Sequence, residues 1–244
     1  MKSSTEQAIR DHAIEEYPRE CCGLVVVVDG NEQYFPCRNI AESPEKTFAL
    51  SPKDNIAAEN MGEVIGLAHS HPKMMVARMS EADLVSCETS GLVWHLVCVY
   101  VDDAGYVVTG EEMISYEPNG YVAPLLGRKF SHGVLDCYAL IRDYYKQVLQ
   151  IELPDYERRD DWWNKGDNLY MDNFANAGFA PVSARDIQIG DIILMQIRSP
   201  VANHAGVYIG DGMMLHHLTN RLSSRELYDG YFQENTRMIL RRKK

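Results

Sequence analysis

The sequence predicts an α+β chain of two domains, each a sheet with helices packed on it. Three observations lead there. The 244 residues exceed one typical domain of roughly 100–200 residues, and each half holds its own β-prone runs and helical patterns. Residues 117–133 carry two Pro and three Gly, which marks the best junction and divides the chain into 1–118 and 119–244. Charge divides at the same place: residues 1–118 hold 20 acidic and 8 basic side chains, a net of −12, whereas residues 119–244 hold 15 and 16, a net of +1.

The elements follow in order. Ala8, Ile9, Ala13 and Ile14 recur at helical spacing, so 3–17 is a helix that Pro18 stops. Cys22–Val28 and Gln33–Cys37 are strands around the turn Asp29-Gly30-Asn31. Pro52 opens a helix reaching about Met61, and Val64–His69 is a short strand. After a loop from His71 to Met79, Ser80 starts a helix that Gly91 ends. Leu92–Val101 is a long strand, followed by two short ones at Tyr106–Thr109 and Met113–Tyr116. In the second half, Asp136 to about Leu149 is a helix. A charged stretch, Glu157 to Asp167, bears Trp162 and Trp163, and a helix lies near Leu169–Ala177. Strands close the chain at Asp191–Ile197, His204–Ile209 and Met213–His217. Arg241–Lys244 reads as a solvated tail.

Composition excludes several classes. The longest apolar run, Leu96–Val101, is far short of the roughly 20 residues a membrane span requires, so no membrane span is expected. The N-terminal residues show no apolar stretch of a secretory signal, which points to folding in a cytoplasm. A net charge of −11 argues against a nucleic-acid partner. The cysteines at 21, 22, 37, 87, 98 and 137 form no C-x-x-C, so neither a zinc ribbon nor a dithiol redox pair is spelled out.

Two constellations carry chemistry. In the first, His69-Ser70-His71-Pro72 follows an apolar strand, and alternation puts both imidazoles on one face. Asp83, three residues after the helix-capping Ser80, is placed to complete a set of two His and one carboxylate. That set, with an open position, is the pattern of a catalytic zinc, Zn2+. A carboxylate outside the ligand set is needed to take a proton from water, and Glu20 is the candidate. These residues resemble the JAMM (MPN) metalloprotease family over roughly residues 5–115. The resemblance implies His69, His71 and Asp83 as zinc ligands, Glu20 as general base and Ser80 as a stabiliser of the oxyanion. Met79 stands where the family commonly has proline, and the loop before Ser80 is one residue longer than its usual length.

In the second, Cys137 sits at the first turn of a helix, where the partial positive charge is expected to lower the thiol pKa. His204 opens a strand, and His216 lies twelve residues on, beyond an Asp211-Gly212 turn, so paired strands would set the rings side by side. A nucleophile, a base and an orienting group are the parts acyl transfer requires. This arrangement resembles the NlpC-type cysteine peptidases, a papain-like α+β family that cleaves peptidoglycan stem peptides, over residues 130–241. The resemblance implies Cys137 as nucleophile, His204 as base and His216 as the orienting residue, with His217 the competing choice. The family's Asp-Cys-Ser-Gly stands here as Asp136-Cys137-Tyr138-Ala139.

The two domains in one chain are similar to the tail tip assembly proteins of lambda-like siphophages. That likeness implies a protein made in the host cytoplasm, other phage tail tip proteins as partners, a place at the virion tail tip, and peptidoglycan peptide as substrate. Two alternatives stay open: a protease that processes a tail protein, and a non-catalytic assembly scaffold with vestigial sites.

Overall fold

The computed structural model describes residues 1–243, and the chain divides into two compact units, Met1–Val122 and Ala123–Lys244.

Unit 1 runs α1 (Ser3–Glu16), β1 (Cys22–Val28), β2 (Asn31–Cys37), α2 (Pro52–Met61), β3 (Glu63–Pro72), α3 (Glu81–Ser90), β4 (Val93–Val101) and β5 (Val107–Tyr116). Its five strands take the order β2-β1-β3-β4-β5, with β3 and β4 parallel and the other neighbours antiparallel. Helix α3 is the crossover between the parallel pair, as such a connection requires. Alternation along β1 gives the sheet two apolar faces. Cys22, Leu24 and Val26 pack with Ala58 of α2 and Cys87 of α3, while Cys21 and Val25 pack with Ile9 and Ala13 of α1. The two short strands expected after residue 105 are one continuous strand, β5, which a register shift against Val97–Val99 accommodates. Beyond β5 the Glu88 carboxylate accepts the backbone N–H groups of Asn119, Gly120 and Tyr121 at 2.8–3.1 Å, tying the outgoing chain to the end of α3.

Unit 2 runs α4 (Cys137–Tyr144), α5 (Leu169–Asn173), β6 (Phe179–Val182), β7 (Ile192–Met195), β8 (His204–Gly210), β9 (Met213–His216), β10 (Ser224–Leu227), α6 (Gly230–Glu234) and β11 (Thr236–Arg242). Its six strands take the order β10-β9-β8-β7-β11-β6, with every adjacent pair antiparallel. One face packs on Leu140, Ile141 and Tyr144 of α4.

Three expectations about this unit change. The helix from Asp136 is α-helical only to Tyr144, and Tyr145–Leu149 is a π-turn. The wider turn keeps Tyr145 buried beside Tyr144, with its hydroxyl donating to the Gly190 carbonyl at 2.6 Å. The helix near Leu169 ends at Asn173 rather than Ala177. Within the terminal basic run, Arg241 and Arg242 are not a solvated tail: they end β11, which lies between β7 and β6 with Ile239 and Leu240 buried, and Lys243 after them is exposed. Arg241 holds the buried Asp191 carboxylate through two hydrogen bonds, and Arg242 lies over the Phe179 ring. Basic composition hid the strand because these charges are matched within the fold. Lys244 lies outside the described residues.

Candidate functional site

In unit 1 the end of β3 and the start of α3 meet. His69 and His71 point to the α2/α3 face, and Ser70 between them points to the other, where its hydroxyl accepts the Cys21 N–H at 2.8 Å. That bond, with Ser70 N–H donating to the Cys21 carbonyl, fixes the strand end that carries both imidazoles. Asp83 is fixed from the helix side. Its N–H donates to Ser80 Oγ at 3.1 Å, and its own Oδ2 accepts the Ser80 N–H at 2.7 Å, a reciprocal capping box. The anchored carboxylate then faces His69 Nε2 at 3.5 Å and His71 Nε2 at 3.3 Å. One donor atom from each of the three residues lies within 4.8 Å of the others.

His69 is fully buried, and neither of its ring nitrogens has a partner in hydrogen-bonding geometry. Buried polar atoms are almost always partnered, so an orphaned imidazole aimed at a carboxylate and a second imidazole fits a cation-binding set. Phe48 and Trp94 wall the site, with ring centroids 5.0 and 5.4 Å from His69. Burial pushes the His69 imidazole down, toward the neutral form a metal needs. Burial works against the charged Asp83 carboxylate too, but the neighbouring imidazoles of His69 and His71 hold it far below the ordinary value. Glu20, just before β1, is buried, and its backbone is pinned by the Pro44 carbonyl and the Asn39 side chain. Burial raises its carboxyl to about 7, against the pull of nearby His71.

In unit 2, Cys137 is the first residue of α4. Asp136 caps the helix, accepting from Ala139 N–H and, with its other oxygen, from Gly133 N–H. Arg158 locks that carboxylate at 2.6 Å and donates to the Gly133 carbonyl. Burial raises the Asp136 carboxyl, but Arg158 overcomes it and the group stays ionised. The expected lowering of the Cys137 pKa is therefore reversed. Burial and the neighbouring Asp136 charge push the thiol up to about 11, outweighing the helix end. Burial, with His216 and His217 nearby, pushes the His204 imidazole down to about 3. The resting pair is a neutral thiol and a neutral imidazole.

Strand pairing sets Gly206 opposite His216, which brings the rings of His204 and His216 together at 5.4 Å, with His204 Nε2 and His216 Nδ1 3.2 Å apart. His217 turns the other way, toward the Arg221 carbonyl. Cys137, His204 and His217 line a cleft of about 380 Å³ whose walls include Phe130, Trp162 and Trp163, with Arg198 and Arg221 also lining it. Three neighbours of these side chains were not found from sequence. Tyr170 places its hydroxyl 3.3 Å from Cys137 Sγ, Arg158 holds the helix cap, and Glu226 stands behind His216. The charged stretch containing Arg158 was visible, but nothing in its spacing pointed at Asp136.

Residues 2–115 match the family model for prokaryotic homologs of the JAB domain, and residues 127–241 match that for the NlpC/P60 family. The chain is 40% identical, over its full length and 96% of the relative's, to tail tip assembly protein K of Escherichia phage N15. It is 41% identical to tail tip assembly protein K of Escherichia phage lambda, over 79% of this chain and 88% of that one. Among solved structures, an NlpC/P60 family protein from Bacillus cereus aligns at 12% identity over 96% of this chain and 65% of that chain, with a TM-score of 0.34. Identity of about two residues in five, sustained along the whole chain, makes this a member of the phage tail tip assembly protein K family, with a JAB-like unit followed by an NlpC/P60 unit.

Proposed function

We propose that unit 2 is a cysteine endopeptidase acting on peptidoglycan stem peptides, and that unit 1 is a zinc-dependent hydrolase of JAMM type, both serving the phage tail tip. The observation that carries the reading is that Cys137, at a helix start, and His204, whose Nε2 is paired with His216 behind it, line one cleft.

Because thiol and imidazole both rest neutral, the proton moves as the bond forms. Cys137 Sγ attacks the peptide carbonyl carbon while His204 takes the thiol proton. The carbonyl oxygen becomes an oxyanion, stabilised by the first N–H groups of α4, those of Cys137 and Tyr138, the Ala139 N–H being taken by Asp136. His204 returns the proton to the departing amine, the C–N bond breaks, and a thioester remains. Water then attacks the thioester, His204 accepts its proton, and the thiol is regenerated. Arg198 and Arg221 suit the free carboxylates of stem peptides, and Trp162 and Trp163 offer faces for their apolar parts.

In unit 1, His69, His71 and Asp83 would hold zinc, which when bound supplies a Lewis acid and an acidified water. Glu20 accepts a proton from its buried position. Ser80 Oγ accepts the Asp83 N–H, which leaves its own hydroxyl proton free to donate to a developing oxyanion. The target of this unit is a protein or peptide amide. The host cytoplasm is the proposed place of assembly, with other tail tip proteins as partners. Among the described residues, no helix is long and apolar enough to cross a membrane.

The test is incubation of the full chain with purified sacculi and mass spectrometry of what is released. New peptide fragments from the native chain, absent with Cys137→Ala, support the reading. Intact sacculi, together with normal tail assembly by Cys137→Ala, would replace it with the scaffold.

A further inference from the structure

We infer that Glu226 is a positioning residue that sets the tautomers of both imidazoles behind Cys137. The inference rests on the reading of Cys137 and His204 as nucleophile and base and extends it to a fourth side chain.

Pairing of β9 with β10 sets Ser224 directly opposite His216. Glu226, two residues on, shares that face and lies diagonal to the ring. Its Oε1 is 3.5 Å from His216 Nε2. The same oxygen is held by Ser224 Oγ and by an Arg221 guanidinium nitrogen, each at 3.1 Å. Phe232 of α6 packs edge-on against the His216 ring at 5.0 Å, which limits its rotation. The charged and titratable groups around His216 are thus His204, Glu226, Arg221 and the adjacent His217.

An ionised carboxylate only accepts hydrogen bonds. The His216 nitrogen facing it, Nε2, must therefore carry the proton. His216 Nδ1 is then a bare acceptor, and the contact at 3.2 Å requires His204 to present Nε2–H to it. That leaves His204 Nδ1 without a proton, the state in which it can take one from the thiol. Reversing the first bond reverses every later one and leaves His204 Nδ1 protonated, unable to accept a proton there. One carboxylate at the sheet edge thus selects the working tautomer two rings away, and it stabilises positive charge that develops on the imidazole pair.

Two measurements on the full chain test this. Long-range proton–nitrogen NMR of the wild-type protein labelled at histidine should show Nε2–H and bare Nδ1 for both His204 and His216. Protonated Nδ1 on either ring would overturn the inference. The second measurement follows alkylation of Cys137 by iodoacetamide from pH 6 to 9, read by peptide mass spectrometry. Glu226→Gln and Glu226→Ala should slow it about tenfold near neutral pH with an unchanged melting temperature. That is far below the roughly 10⁴-fold cost of losing a carboxylate directly behind a catalytic histidine. Glu226→Asp should recover part of the rate. Alkylation at the wild-type rate in both Glu226→Gln and Glu226→Ala contradicts the relay, as does a wild-type rate in His204→Ala. Iodoacetamide needs no peptidoglycan. Slow alkylation in Glu226→Gln therefore supports the relay even where sacculi remain uncut, so failure of the substrate reading and failure of the relay are distinguishable.

Discussion

The two units each bury an imidazole and surround it in opposite ways. In unit 1, His69 is fully buried and its ring nitrogens are left without partners, so the site is incomplete by the ordinary rule that buried polar atoms are satisfied. In unit 2, His204 is also buried, but its Nε2 is partnered by His216 Nδ1 at 3.2 Å. On the proposed reading the first arrangement takes a cation, while the second pairs its imidazoles within the chain. The contrast predicts that metal supply and thiol chemistry act on different halves of the molecule.

The largest effect breaks unit 2 alone. Cys137→Ala should abolish muropeptide release, a loss of at least about 10³-fold as expected when a nucleophile is removed, with the melting curve unchanged. His204→Ala should match it. His216→Ala should cost less, about 10- to 100-fold, because on the proposed reading it orients the base and does not exchange the proton with the thiol. Kinetics on sacculi with all three chains checks the order.

The next effect breaks unit 1 alone. Elemental analysis should find about one zinc per chain, lost in His69→Ala with His71→Ala and kept in Glu20→Gln. A zinc supply at 1,000 times its dissociation constant stabilises the folded unit by about 4 kcal/mol. Chelator should therefore lower the melting transition of residues 1–122 and leave that of residues 123–244 in place. A shift of both transitions together would show that the two units do not behave independently.

Legibility from sequence follows the same contrast. The His69/His71/Asp83 group was readable because strand alternation and a helix cap are local rules, and all three residues lie within fifteen positions of one another. The place of Cys137 at a helix start and the pairing of His204 with His216 were readable through a helix cap and a turn. Tyr170, Arg158 and Glu226 were not, because each reaches its partner through tertiary packing that no period encodes. The same limit explains β11: a run ending in basic residues reads as solvated until Asp191 and Phe179 are seen to receive Arg241 and Arg242. The thiol pKa went the wrong way because the helix end was weighed without burial and without the charge of Asp136.

The smallest effect concerns the chain leaving unit 1. Backbone N–H donors from Asn119, Tyr121 and Gly120 hold the Glu88 carboxyl below its ordinary value of 4.5, despite some opposing desolvation. A depressed carboxyl pKa contributes stability above the unfolded value and loses it as pH falls through the folded one. Amide exchange protection at Asn119–Tyr121 should thus be full above about pH 5 and fade below the ordinary carboxyl value. Glu88→Gln should show reduced protection at every pH, and unchanged protection in that variant would remove the carboxylate from the account.

The separation of the two chemistries is tested most directly by one comparison on sacculi. The full chain is assayed for muropeptide release untreated, after exhaustive chelation, and after alkylation of Cys137. Release undiminished by chelator and eliminated by alkylation is the predicted result. Loss of release under chelator, or release that survives complete alkylation of Cys137, would contradict it.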